Sequence, residues 1–142
     1  MDTIQTIFAV FVAGALILGA GCATTTDYDL TAGEETPAAS GEVKIKEDDN
    51  NNLRLDVEVD HLPNPGNLAA GLNTYVVWLE PTGADRMVNL GQLEIDEDDR
   101  TGKLEATTPY RNFNIYITAE ETGQPSQPSD RMIMRRQIDY QI

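Results

Sequence analysis

The chain has one cysteine, Cys22, one histidine, His61, and one tryptophan, Trp78. Without a second cysteine there is no intrachain disulfide framework and no CxxC metal or redox pair. One histidine and one cysteine cannot supply the several nitrogen or sulfur ligands of a zinc site. A Ser-His-Asp triad would have to be built around His61 in VDHLP, and no GxSxG nucleophile elbow occurs. A structural hydrogen bond in a turn is the expected role of that ring, and no enzyme is expected. Basic residues are also scarce, with 10 Lys and Arg against 24 Asp and Glu and a net charge of −14. A surface of that sign repels phosphate backbones, which excludes nucleic acid as a partner, and it disfavours lying flat on anionic lipid. Beyond residue 21 no apolar stripe of helical period is present, so little helix is expected.

The one long apolar run is at the start. Residues 4–20 read IQTIFAVFVAGALILGA, uncharged from Ile7 onward, and LGAGC then carries small residues into Cys22. An apolar region of about 7–15 residues before a small-residue cleavage site is the layout of a secretory signal. The cysteine at the cleavage point resembles the bacterial lipobox, which implies that Cys22 carries covalent lipid and becomes the mature N-terminus. Two features depart from that pattern: Met1-Asp2-Thr3 has no lysine or arginine, and Gly19 occupies the customary leucine position, with Leu18 one residue further back. An uncleaved membrane helix is the rival reading, since about 20 apolar residues span a bilayer. Either reading tethers the chain to a membrane on its extracytoplasmic side, in the cell envelope. Loss of residues 1–21 would remove only one charge, Asp2, leaving −13 on the mature chain.

Three regions are expected: residues 1–21 as lipoprotein signal peptide, 22–41 as lipidated cysteine and disordered tether, and 42–142 as a β domain. The tether assignment rests on the Thr, Ala, Gly and acidic composition of ATTTDYDLTAGEETPAASG, with an extra edge strand at Tyr28 to Leu30 as the alternative. From Glu42 the apolar period is two. VKI and LRLDVEV alternate apolar with charged residues and, joined by EDDNNN, predict a hairpin. YVVWL (Tyr75, Val77, Trp78 and Leu79 among it) is apolar on both faces, which asks for cover on both sides or for a loop folded over it. MVNLGQLEI is a strand region with a bulge at Gly91, KLEAT a short strand, NFNIYITAE a long one, GQPSQPSD a loop and RMIMRRQIDYQI the last strand. Seven or eight such strands in about 100 residues predict an antiparallel, immunoglobulin-like β-sandwich. Trp78 is expected between its sheets, with Tyr75, Val77 and Leu79 in the core.

The order VEVDHLPNPGN, YVVWLEPTGADRMVNLGQLEIDEDDRTGKLEAT, NFNIYITAEETGQPSQPSD resembles the extracytoplasmic C-terminal domain of anti-sigma-K-type factors over about residues 42–134. The matching residues are Val59, Leu62, Pro63, Tyr75, Val77, Trp78, Leu79, Leu90, Gly91, Leu93, Asp99, Gly102, Ile117, Thr118, Glu120, Gly123 and Pro128. His61 stands where the family tends to have glycine, and Gln124 replaces a second glycine. The resemblance implies a β-sandwich outside a membrane with a sensory or structural role. Only about 21 residues precede Cys22, too few for the family's sigma-binding region, so no sigma factor is expected as a partner.

Other candidate sites are weak. Asp96, Asp98 and Asp99 before Gly102 offer carboxylate oxygens to calcium, but without EF-hand spacing, and a solvated hairpin turn is the simpler reading. If that turn met Glu47-Asp48-Asp49 at one end of the fold, a joint acidic pocket would form. Glu120 and Glu121, as strand neighbours, face opposite ways and are expected as surface charges. Arg135 and Arg136 beside Tyr140 form the one basic patch, either a docking strand or an edge strand guarded by charge. The partners implied are the membrane, through the lipid, and another envelope protein. No metal or other cofactor is expected beyond the lipid on Cys22.

Overall fold

The computed structural model describes residues 24–141; the proposed signal segment and Cys22 lie outside the described residues. Nine strands follow one another: β1 Thr25–Ala32, β2 Ser40–Glu47, β3 Leu53–Asp60, β4 Thr74–Pro81, β5 Val88–Gln92, β6 Glu94–Asp96, β7 Thr101–Thr108, β8 Asn112–Glu120 and β9 Met132–Asp139. A single helical turn, α1 Pro65–Leu68, precedes β4. The strands form one antiparallel sheet in the order β5-β4-β8-β9-β1-β2-β3-β7-β6. Because β5 and β6 are separated in the chain only by Leu93, the two ends of that order meet and the sheet is nearly closed, like a barrel.

Period-two patterning sets the inside. In β3, Leu53, Leu55, Val57 and Val59 are buried, while Arg54, Asp56, Glu58 and Asp60 between them face water to differing degrees. Burying each such side chain contributes about 1.5–3 kcal/mol. Asp48 makes the turn that starts this strand: its Oδ1 accepts from the backbone N–H of Asn50 at 2.8 Å and Asn52 at 2.9 Å, and Asn51 takes a left-handed φ of 62°. An Asx turn of this kind suits Asp and Asn, and it fixes the register at Ile45↔Leu55 and Val43↔Val57.

Three expectations are corrected. The segment expected as a tether holds β1, which pairs with β2 from Thr25↔Lys46 to Leu30↔Gly41 and then with β9 at Thr31↔Arg135 and Ala32↔Met134. Tyr28 and Leu30 stand on the core-facing side, opposite Val43 and Gly41, and Asp27 and Asp29 point out. The alternation was present, diluted by threonine and alanine. Its continuation is fastened too: Gly33 N–H donates to Ile133 O at 2.7 Å, and a Cβ at Gly33 would stand 2.8 Å from Met132 O.

The strand count of seven or eight becomes nine because of β1 and because MVNLGQLEI is two strands. Leu93, buried, donates its N–H to Tyr75 O at the corner where the chain passes from pairing with β4 to pairing with β7. The bulge expected at Gly91 lies there, with Leu90 the extra residue between Asn89 and Gly91 and Gly91 at φ 135°. Finally, β9 is no edge strand: β8 lies on one side of it and β1 on the other.

Candidate functional site

The chain turns at two ends. The end where β1 begins carries the 48–52 turn. At the opposite end gather residues 33–39, 61–73, 97–100 and 121–131, and between residues 62–73 and 95–100 opens a cleft of about 760 Å³.

The cleft is built on a plug. Leu62 is buried and closes the mouth of the sheet against Gly102, where an added Cβ would lie 3.0 Å from methyl groups of Leu62, Leu93 and Ile95. Leu62 is held from both sides: its N–H donates to Arg100 O at 3.0 Å, and Arg100 Nε donates to Leu62 O at 3.3 Å. Both flanking turns need left-handed backbone at non-glycine residues, His61 at φ 58° and Arg100 at φ 57°. Such conformations cost about 1–2 kcal/mol each. Tyr75 Oη donates to Pro63 O at 2.6 Å, which ties the plug to β4. Burial pushes the Tyr75 phenol up to about 12, against an opposing pull from Arg100. Asn64 caps α1 by accepting from Gly66 N–H at 3.0 Å, and Asn73 Nδ2 donates to Gly71 O and Glu121 O at 3.0 Å each.

The walls therefore present amides (Asn64, Asn67), one guanidinium (Arg100), one carboxylate (Glu97) and apolar surface from Leu72 and Ile95. These groups can hydrogen-bond a small polar ligand. They do not pair a nucleophile with a base.

The structure places the sequence-derived candidates as follows. Asp96, Asp98 and Asp99 are exposed, and Asp96 Oδ1 is used within the turn, accepting from the N–H of Asp98 at 3.0 Å and Asp99 at 3.2 Å. Among the described residues no three His, Cys, Asp or Glu side chains converge as a metal would require. The two acidic turns do not meet: β3 runs from one to the other, a span of roughly 25 Å at about 3.3 Å per residue. His61 is exposed, and the hydrogen bond expected of its ring is absent among the described residues; its contribution is the backbone turn. Tyr75, Val77 and Leu79 belong to the central core cluster.

Trp78 does not lie between layers. It is 1 % exposed yet stands with Val76 on the outer face of β4, outside that cluster. There its Nε1 donates to Thr118 Oγ1 at 2.9 Å, and Thr118 Oγ1 donates in turn to Glu120 Oε1 at 2.6 Å. Glu120, expected at the surface, is 5 % exposed. The 121–131 segment folds back over this face, with Ser129 N–H donating to Glu120 Oε1 and Ser129 Oγ to Ala119 O, both at 2.7 Å. YVVWL, apolar on both faces, announced such cover; that a carboxylate would anchor it was not legible. Glu121, next along the chain, is exposed.

Sequence reasoning also missed the Leu62 and Arg100 clasp, whose only local trace is the turn chemistry around NPGN and DDRTG. Compared with models of protein families and with curated proteins, the chain matches none.

Proposed function

We propose that the chain is a non-catalytic cell-envelope lipoprotein, anchored through lipid on Cys22, whose immunoglobulin-like, anti-sigma-type β domain serves interaction or structure. The observation that carries the domain assignment is where the matching residues fall. They contact one another: Tyr75 with Pro63, Trp78 with Thr118 and Thr118 with Glu120, Gly102 with Leu62 and Leu93. His61 adds to this, since it holds φ 58° at the position where the family has glycine, the residue that takes that region without strain. A motif used up in packing describes a scaffold. The partners of this reading are the membrane and a protein of the envelope, with no nucleic acid and no sigma factor.

Lipid on Cys22 would also fix the domain's bearing. Three residue steps separate Cys22 from the start of β1, a reach of about 10 Å, so the near end of the sheet would rest against the headgroups and the cleft would face outward.

Intact-mass analysis of membrane-extracted protein, beside a Cys22→Ala variant, tests this. A mass of residues 22–142 plus acyl chains, lost in the variant, is expected. An unprocessed and unacylated mass would make residues 4–20 a membrane helix.

The outward cleft favours a second reading, an extracytoplasmic sensor that binds a ligand or calcium and signals through a membrane partner. A ligand of the folded state raises its melting temperature by mass action. Melting with and without calcium chloride is the check for the calcium form, and an unchanged midpoint at millimolar calcium would remove it.

A further inference from the structure

Strands β1 and β9 are joined by two residue pairs, Thr31↔Arg135 and Ala32↔Met134. Below them the strands part, and a groove opens along the seam, lined by Tyr28, Asn114, Tyr116, Arg135, Arg136 and Gln137, among others. Tyr28 bridges it, donating from Oη to Asp139 O at 3.3 Å.

Arg136 differs from the other bases in its surroundings. Acids outnumber bases 24 to 10. Among the described residues Lys44, Arg54, Lys103, Arg111 and Arg131 pair with carboxylates; of the bases that do not, only Arg136 has a buried nitrogen without a partner. Arg136 is half-buried, and among the described residues it has no carboxylate partner. Its Nε is buried and donates to nothing there. The guanidinium lies over the Tyr28 ring, 5.7 Å from its centroid, a stacking that holds the fork in place and leaves its edge donors unused. The neighbouring polar groups are already committed: Tyr116 Oη and Asn114 Nδ2 both donate to Glu80 Oε2, at 3.0 and 3.4 Å.

We propose that the β1–β9 groove binds a carboxylate group on the guanidinium of Arg136, with Arg135 and Gln137 at its rim. The planar, singly charged carboxylate matches the fork in geometry and in charge. A doubly charged phosphate would meet more repulsion from Asp139, which also lines the groove, and from Glu80 beside it. The carboxylate could belong to a peptide C-terminus or to a sugar acid. This inference does not depend on the lipoprotein reading.

The test is a titration of the ¹⁵N-labelled full-length protein at fixed ionic strength, following the Arg136 Nε–H and Tyr28 resonances. Four probes are compared: acetyl-glycyl-glycine, its C-terminal amide, glucuronate and methyl phosphate. A saturable shift with one or both acids is expected, at least tenfold weaker with the amide, lost in Arg136→Lys and kept in Arg131→Lys. Preference between the two acids identifies the source of the carboxylate. Equal shifts with acid and amide, a linear response without saturation, or tighter binding of methyl phosphate would each overturn the proposal. If Arg136→Lys does not fold, the comparison of acid with amide on the wild-type protein decides alone.

Discussion

β3 and β4 are both eight residues long, and each turns four apolar side chains inward, yet their outer faces differ at the centre. On β3 the outer residues Arg54, Asp56, Glu58 and Asp60 are exposed or half-buried, and Arg54 reaches Glu105 at 2.9 Å and Lys103 reaches Glu58 at 3.9 Å. On β4 the outer residues Val76 and Trp78 are as buried as the core, at 0 % and 1 % exposure. The cause is the 121–131 segment, held down on β8 by Glu120 and Ser129. One strand thus has a single apolar face and charged pairs that need no particular partner. The other has two apolar faces and a buried polar chain in which every link is required.

The comparison breaks most visibly at Trp78. Trp78→Ala empties the space beneath the covering segment and is expected to cost about 3–5 kcal/mol, read as a lowered denaturation midpoint. Its signature separates the two faces: the 121–131 amides should lose protection before those of β2 and β3. Glu120→Ala removes the acceptor for Thr118 and Ser129 and leaves buried donors unpaired, a cost of about 1–3 kcal/mol, measurable by urea unfolding.

Tyr75 sharpens the comparison from the inner side of β4. The folded-state phenol ionises at about 12, above the unfolded value of about 10. At pH below 10 both states keep the proton and the full contribution is present. As pH rises from about 10 to 12 the unfolded state releases the proton first, so stability falls across that window. In Tyr75→Phe this alkaline loss should diminish, as followed by midpoint against pH. The smallest effect is expected from Arg54→Ala. Its partners Glu105 and Asp56 have side chains 70% and 41% exposed, and such pairs hold little stability, so its midpoint should match wild type, in contrast to Glu120→Ala.

How far the sequence could be read follows the same division. Where one face is wet the alternation is plain, and β2, β3 and β8 fall at or near their expected positions. β1 carries the same alternation in TDYDL, but its surroundings of Thr, Ala, Gly and Glu have the composition of a disordered segment, which masks the pattern. Trp78 lies outside the central core although YVVWL, alone, does not say which of its two apolar faces is inside. Register decides that, and register depends on β8, some 40 residues on. The break at Leu93 and the clasp of Leu62 with Arg100 rest on long-range backbone contacts that no local spacing records. Of the candidate site, the turn residues were visible as turns. Their meeting around one cleft was not.

The claim that β4 has a second buried face can be tested on one atom. Trp78 is the only tryptophan, so its indole Nε1–H gives one unambiguous resonance, and its native-state hydrogen exchange can be followed directly. The account predicts protection comparable with that of the β4 and β8 amides, falling sharply in Glu120→Ala as the covering segment loosens. Exchange at the rate of a solvent-exposed indole in the wild-type protein would contradict it.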